Sequence, residues 1–452
     1  MFVFGGNQSS ADTGYNISNG VRFNDGSSDN LSRGNGTATN RKKYTFNGWV
    51  KRAHLGTRQR IYGVIDPSST AAYAFAEFQT TSDTLHIDDF DGSSTRITRT
   101  LKRVFRDVSA WYNIHIQFDS TLSTGSDRMK VYINGVQETE FSHTNNGSQN
   151  YDGCFFNSSK TFHIGRAGHT SFYFDGYQCQ TIAIDGQALD PDNFGEFDSD
   201  SGIWKPINPS GLTFGNNGFW MEYGNSSALG EDSSGNGNDF TVNNLTSIDQ
   251  VTDTPTNNFV TFNNLDKTSA ITTSEANTKA SASSSHSAIR GTFGLNSGKW
   301  YWENKIDSVS GGPAVGVMSA DARLSDQLNS TQSRWYRNSG SKFNNSTETG
   351  SYGASFTTND IIGIALNLDD GEITFYKNGS SQGVAFTDLL SSTNESWLPA
   401  VKLYDEAISI NTGNPSFSIS SGNSDGNGYG NFEYAVPSGY HALNTKNLAE
   451  YG

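Results

Sequence analysis

Apolar and polar side chains alternate with a period of two residues in short runs along the chain, and this alternation limits the possible folds. In residues 111–118, Trp, Asn, His and Gln fall on one side and Tyr, Ile, Ile and Phe on the other. Successive side chains of a β-strand point to opposite faces, so this pattern predicts a half-buried strand. Asn-Gly pairs follow two such runs, at 134–135 and 378–379, and Asn-Gly is the preferred pair in tight hairpin turns. We therefore predict an all-β chain of antiparallel strands.

The length of the chain predicts two domains. A chain of 452 residues exceeds what one ordinary core organises. Between residues 226 and 258 the sequence becomes polar and loses its strand pattern, which indicates an inter-domain linker. We predict a short N-terminal attachment segment, two β-sandwich domains and that linker between them. The predicted boundaries are 1–14 for the attachment segment, 15–225 for the first sandwich, 226–258 for the linker and 259–452 for the second sandwich.

The second domain carries an ordered series of sequence blocks. These blocks occupy residues 298–303, 315–317, 360–369, 373–379 and 398–401. In that order they resemble the SPRY domain, a bent β-sandwich that binds other molecules through loops at one end. The resemblance implies a binding role for the loops of this half.

The first domain carries a second, different series. Its blocks occupy residues 46–52, 111–114, 131–135, 162–165 and 174–177. They resemble the laminin-G/concanavalin-like jelly roll. The fold expected for the whole chain is therefore two tandem antiparallel β-sandwiches, a concanavalin-like jelly roll followed by a SPRY-like sandwich.

The pairing of these two modules is similar to structural proteins of marine bacteriophages. The resemblance implies a protein made in the host cytoplasm that ends on the virion surface as a tail fibre, spike or capsid decoration. Its expected partners are other virion proteins, of the capsid or tail, and a host-surface glycan or receptor. A homo-oligomer, or many copies on one particle, would add avidity. The alternative is a purely structural subunit that binds only other virion proteins.

Charge and hydropathy narrow the choice of partners. The net charge of −15, without a long basic stretch, disfavours nucleic acid. No apolar run approaches the roughly 20 residues of a membrane span, and the N-terminus lacks the pattern of a signal peptide. The two cysteines, Cys154 and Cys179, do not form a metal-ligand spacing. The sequence leaves open whether the two cysteines form one disulfide or remain two buried thiols.

Catalysis is not expected, although some concanavalin-like sandwiches hydrolyse glycans. Such hydrolases place two carboxylates across a cleft, and the relevant families carry them as Glu-x-Asp-x-x-Glu on one strand. Glu196-Phe197-Asp198 begins this pattern, but no Glu stands three residues after Asp198. A glycan-active enzyme is therefore the least favoured hypothesis of function.

Binding residues are predicted from an aromatic-basic cluster within an otherwise polar loop and from a neighbouring loop of the second domain. Aromatic and arginine side chains are enriched at binding hot spots. The predicted residues are Arg334, Trp335, Tyr336, Arg337, Tyr404 and Asp405. An alternative interpretation is that Trp335 closes the end of the sandwich as part of the core.

Calcium is the cation that this sequence would bind, because carboxylate and amide oxygens suit it. The candidate ligands are Asp88, Asp89 and Asp91, and the loop at 232–239 is a second oxygen-rich turn. No cofactor is required by this prediction. Asp and Asn before Gly also form Asx turns without any ion, and this alternative stays open.

Overall fold

The computed structural model describes residues 14–66, 69–93, 96–166, 172–283, 286–326, 331–390 and 396–452. They divide into two compact units, of which the first ends at Thr256 and the second comprises Asn257–Gly452. The all-β prediction is confirmed, since 45% of the residues lie in strands and the described part of the chain has one α-helix. The predicted attachment segment lies outside the described residues, apart from Gly14. No helix of the described residues has the length and apolar character needed to cross a membrane.

The first unit is a sandwich of two large antiparallel sheets. Its strands are β1 Gly20–Phe23, β2 Asn30–Gly34, β3 Lys43–Arg52, β4 Gln59–Asp66, β5 Ser69–Phe78, β6 Thr84–Phe90, β7 Arg96–Val104, β8 Trp111–Asp119, β9 Met129–Ile133, β10 Val136–Gln137, β11 Phe141–Asn146, β12 Thr161–Ile164, β13 Gly176–Asp185, β14 Gly195–Phe197, β15 Trp204–Pro206, β16 Phe219–Met221, β17 Thr241–Asn243 and β18 Gln250–Val251. One sheet has the order β10-β9-β8-β3-β13-β1-β18, and β16 also pairs with β13. The other sheet has the order β11-β7-β6-β5-β4-β12-β2-β17, and β14 and β15 form a separate hairpin.

The second unit is also built from two sheets. Its elements are β19 Phe262–Lys267, β20 Ile271–Ser274, β21 Lys279–Ala282, β22 Ser287–Gly291, β23 Lys299–Ser308, β24 Ala314–Ser319, β25 Ser333–Arg337, β26 Lys342–Asn344, β27 Thr347–Thr349, β28 Ile361–Asn367, β29 Glu372–Lys377, β30 Ser380–Phe386, β31 Trp397–Leu403, β32 Ala407–Asn411, β33 His441–Ala442 and α1 Thr445–Tyr451. The sheets have the orders β19-β22-β31-β24-β25-β26-β27 and β20-β21-β32-β23-β28-β29-β30, and β33 lies parallel to β23.

Aromatic rings fill the core of the first unit between its two sheets. Tyr44 stacks on Phe118 at 4.5 Å and on Phe155 at 4.2 Å between ring centroids, and Phe155 also contacts Tyr62 and Phe162. Each buried ring removes a large apolar area from water. A chain with an apolar fraction of only 34% can therefore still form a cohesive core.

Both Asn-Gly hairpins form as predicted. Asn134 and Gly135 have φ of 49° and 75°, and Asn378 and Gly379 have φ of 47° and 77°. Two consecutive residues with positive φ make the type I′ turn, whose twist matches that of antiparallel strands. The turn residues are therefore determined locally, by the conformations that Asn and Gly tolerate.

The prediction that β8 is half-buried is wrong, because the other face of this strand is covered as well. Asn113 and His115 are fully buried. The Trp204 indole N–H donates to Asn113 Oδ1 at 3.2 Å, and His115 Nε2 donates to the carbonyl of Leu189 at 3.0 Å. The segment around β14 and β15 thus packs on the outer face of the sheet. Burial also lowers the pKa of His115 to about 4.

The prediction of a linker at 226–258 is also wrong. β17 extends one sheet by pairing with β2, β18 extends the other by pairing with β1, and Phe240 joins the aromatic core. The polar residues between them organise turns, and the Asp232 carboxylate accepts hydrogen bonds from the backbone of Trp220 and Ser234 at 2.9 Å each. Asx turns and short edge strands give the composition of a linker although the segment is packed.

The C-terminal segment of the second unit crosses the outer face of the sheet that contains β23. Phe432 packs there against Tyr301, with the ring centroids 5.3 Å apart. The fully buried Glu303 carboxylate accepts hydrogen bonds from the backbone of Glu433 at 3.0 Å and Tyr434 at 2.8 Å. Burial raises the pKa of Glu303 to about 7.

Replacing Glu303 with Gln should remove a pH dependence of stability. In the folded protein the pKa of Glu303 is about 7, whereas the ordinary pKa of a glutamate, which applies to the unfolded state, is 4.5. The folded state then binds more protons than the unfolded state, so stability falls as pH rises between these values. The free energy of unfolding of the parent relative to Glu303→Gln should fall by up to roughly 3 kcal/mol from pH 5 to 7.5. Urea denaturation across this range measures it. Glu450→Gln, at an exposed carboxylate, is the control; a difference independent of pH would contradict the prediction.

Candidate functional site

The predicted aromatic-basic cluster does not lie in a loop. Residues 333–337 form β25, which pairs with β24 and β26. Trp335 and Tyr336 are both fully buried on opposite faces of this strand, so Trp335 packs as a core residue on a face of its sheet and not at the end of the sandwich. Arg334 is buried too, and its Nε and Nη2 donate to the two carboxylate oxygens of Asp388 at 2.9 and 3.0 Å. These three side chains hold the sheet together and do not form an open binding surface.

The other three predicted binding residues come together at one end of the second sandwich. Arg337 and Lys402 flank Ala314 in the sheet, because β24 pairs with β25 on one side and β31 on the other. Tyr404 and Asp405 follow directly after β31. His286 contacts the Tyr404 ring, with ring centroids 4.8 Å apart. We call this set the loop cluster; it consists of His286, the loop at 309–312, Arg337, Lys402 and the turn at 404–406.

A buried carboxylate holds two of these loops in place. Glu406 is 2% exposed, and its Oε1 accepts from the backbone N–H of Gly311 at 2.6 Å. Its Oε2 accepts from the backbone N–H groups of Tyr404 at 2.5 Å and Asp405 at 3.1 Å. Charge-assisted hydrogen bonds of this kind are about twice as strong as neutral ones. The backbone under Tyr404 and Asp405 is therefore fixed before any partner binds.

The charges of the loop cluster are partly satisfied within it. Lys402 Nζ donates to the carbonyl of Gly312 at 3.2 Å, and burial lowers the pKa of Lys402. Arg337 donates to Glu348 at 2.9 Å. Burial also lowers the pKa of His286, with Lys402 nearby as a second cause. The open groups are a neutral imidazole, the Tyr404 ring and the Asp405 carboxylate, which suit hydrogen bonding and ring packing to a partner.

Sequence reasoning missed His286 and Lys402. His286 begins the run into β22 after a serine-rich tract, and Lys402 lies inside a strand that reads as core. Nothing in either local pattern marks a binding residue. Only the strand order β22-β31-β24-β25 brings them beside Arg337 and Tyr404.

The structure does not bring the three predicted calcium ligands together. Asp88 and Asp89 are neighbours on β6 and point to opposite faces, Asp88 to Thr98 Oγ1 at 2.7 Å and Asp89 to the Tyr151 hydroxyl at 2.6 Å. Burial raises the pKa of Asp89 to about 6. Asp91 accepts from the backbone N–H of Ser93 at 2.8 Å, which is an Asx turn. The prediction failed because alternation along a strand separates adjacent side chains.

The two cysteines are free thiols, and both are buried. The Cys154 thiol donates to the carbonyl of Phe90 at 3.0 Å, and burial raises the pKa of Cys154 to about 12. Of the two alternatives left open by the sequence, two buried thiols is the one observed.

Comparison with known proteins identifies one domain. The SPRY domain family matches residues 299–415, so the chain contains a SPRY domain preceded by a large β-sheet region. An ATP-dependent RNA helicase Ddx1 of Drosophila melanogaster is 33% identical over 135 residues, 30% of this chain and 18% of that protein. A probable ATP-dependent RNA helicase ddx1 of Dictyostelium discoideum is 31% identical over 133 residues, which are 29% of this chain and 17% of that protein. The chain thus spans less than a fifth of these relatives.

Two solved structures are similar to part of the chain. The SPRY domain of human HERC1 is 23% identical, with a TM-score of 0.30 and coverage of 33% of this chain and 96% of that one. The stonustoxin structure is 22% identical, with a TM-score of 0.27 and coverage of 34% of this chain and 27% of that one.

Proposed function

We propose that this chain is a non-catalytic binding protein whose SPRY domain recognises a partner through the loop cluster. The observation that carries the proposal is the convergence of Arg337, Tyr404 and Asp405 with His286, on loops fixed by the buried carboxylate of Glu406. A rigid backbone beneath exposed polar and aromatic groups lowers the ordering cost of binding. The partner is a protein segment or glycan that pairs with these groups.

We further propose that the protein acts on the surface of a phage particle, as a tail-fibre, spike or decoration subunit that adheres to the host. The resemblance of the paired modules to marine bacteriophage structural proteins supports this placement. Weak sites on many copies would give avidity. The alternative is a structural subunit whose loop cluster contacts only other virion proteins, and both proposals use the same surface.

Tyr404→Ala and Asp405→Ala should each weaken partner binding about tenfold, because hot-spot truncations cost about 1–2 kcal/mol or more. Whole-cell binding, glycan arrays and titration with purified capsid and tail proteins measure this loss. The matched control is Asp321→Ala, since Asp321 is exposed just beyond the opposite end of β24. Equal losses in the control would count against the loop cluster. A loss of binding that is seen only with capsid or tail proteins would support the structural alternative. Release of reducing sugar from a glycan would contradict the non-catalytic assignment.

A further inference from the structure

Three metal-ligand side chains of the first unit meet at one edge of its sheet. β1, β13 and β3 are neighbours, and the register pairs Phe23 with Gly176 and Gly176 with Arg52. Because the strands are antiparallel, the end of β1, the start of β13 and the end of β3 lie side by side. The residues just beyond these three ends are Asp25, Asp175 and His54.

The donor atoms of these three residues face one another. One ligand atom from each lies within 4.8 Å of the other two. His54 Nδ1 is 3.3 Å from Asp175 Oδ2 and 4.0 Å from Asp25 Oδ2. The Asp175 side chain is 1% exposed, whereas His54 and Asp25 are 25% and 42% exposed. The group is therefore anchored by one buried carboxylate and opens to solvent on the side of the other two donors.

We propose that Asp25, His54 and Asp175 bind a divalent transition-metal ion. A tetrahedral ion with bonds of about 2.1 Å separates its ligand atoms by roughly 3.4 Å, close to the His54–Asp175 distance. The Asp25 carboxylate lies 4.0 Å from His54 Nδ1 and within 4.8 Å of the Asp175 donor atom, so this exposed side chain needs a shift of roughly 0.5–1.5 Å to reach the same spacing from both. Two carboxylates balance the charge of a divalent ion, and the opening to solvent beside His54 and Asp25 leaves a coordination position for water.

The donor set favours zinc over calcium. Imidazole nitrogen is a ligand of zinc and related first-row ions, whereas calcium takes oxygen ligands. The ion expected here therefore differs from the calcium predicted from the sequence, and its ligands come from three separate strand ends. Binding would tie β1, β3 and β13 together at their shared edge. This site is independent of the loop cluster, which belongs to the other unit.

Calorimetric titration of the tag-free full chain with Zn²⁺ tests the proposal. We expect one equivalent to bind, with a rise in melting temperature of several degrees, and His54→Ala and Asp25→Asn should each weaken binding at least tenfold. The matched controls are His143→Ala and Asp152→Asn, which change an exposed histidine and an exposed aspartate elsewhere in the same unit. Co²⁺ in place of Zn²⁺ should give a visible absorption band that His54→Ala removes.

Failure of Zn²⁺ to bind the parent would overturn the proposal, as would equal binding by the parent and both site variants, which would indicate an adventitious ion only. Binding of Ca²⁺ but not Zn²⁺ would overturn the assignment of the ion. If His54→Ala does not fold, Asp25→Asn decides the question, because Asp25 is exposed and its replacement leaves the core unchanged.

Discussion

Replacing Trp335 with alanine should lower the free energy of unfolding of the second unit by about 3–5 kcal/mol, the cost of truncating a fully buried tryptophan. Trp335 is 0% exposed and packs with Met318, Phe343 and Ala400 on the outer face of its sheet. Alanine would leave a cavity that this face cannot close. Guanidinium denaturation followed by far-UV circular dichroism measures the loss without relying on the fluorescence of the removed ring.

A conservative replacement of Trp335 distinguishes a role of this side chain in packing from a role in partner recognition. Trp335→Phe retains a ring in the same site and should lose less than half as much stability as Trp335→Ala. Under the loop interpretation of the sequence, Trp335→Ala would weaken adhesion and leave stability unchanged. That outcome would contradict the burial of Trp335 seen in the structure.

Replacing Lys51 with methionine should destabilise the first unit by about 3–5 kcal/mol, because it removes the cation beside a buried carboxylate. Lys51 Nζ lies 2.8 Å from Asp253 Oδ2, and the two side chains are 1% and 0% exposed. The Trp111 indole N–H also donates to Asp253 Oδ1 at 3.0 Å. Asp253 belongs to the segment that the sequence presents as a linker, so the measured loss also tests whether that segment is part of the fold.

A double-mutant cycle isolates the ion pair. Asn at position 253 keeps an acceptor for Trp111 without the charge, so Lys51→Met/Asp253→Asn should be more stable than Lys51→Met alone. The control is Lys102→Met, since Lys102 and Glu140 form an exposed pair, 59% and 72% accessible, whose loss should change stability far less than the loss of the buried pair. Equal effects of Lys51→Met and Lys102→Met would contradict the buried pair.

The candidate sites could be predicted only in part. Arg337, Tyr404 and Asp405 were predicted and do meet at one end of the second sandwich. His286 could not be assigned, because it lies far from them in sequence and joins them only through strand order. The group of Asp25, His54 and Asp175 could not be predicted for the same reason, because its members are separated by 29 and 121 residues in the chain.

The features that could be predicted from the sequence are local. Alternation located the strands, the Asn-Gly pairs specified the type I′ turns, and the ordered blocks of the second half identified the SPRY domain, which the family comparison confirms. Each of these depends on neighbouring residues, whose backbone preferences and face periodicity act over a few positions.

Which surfaces are covered depends on the tertiary structure. The outer face of β8, the strand β25 and the polar residues at 226–256 read as exposed, and all three are packed by segments distant in the chain. Burial depends on the free energy of the whole assembled sheet, to which a polar segment can contribute backbone pairing and Asx turns. Composition therefore could not distinguish a linker from an edge strand, or a binding loop from the core.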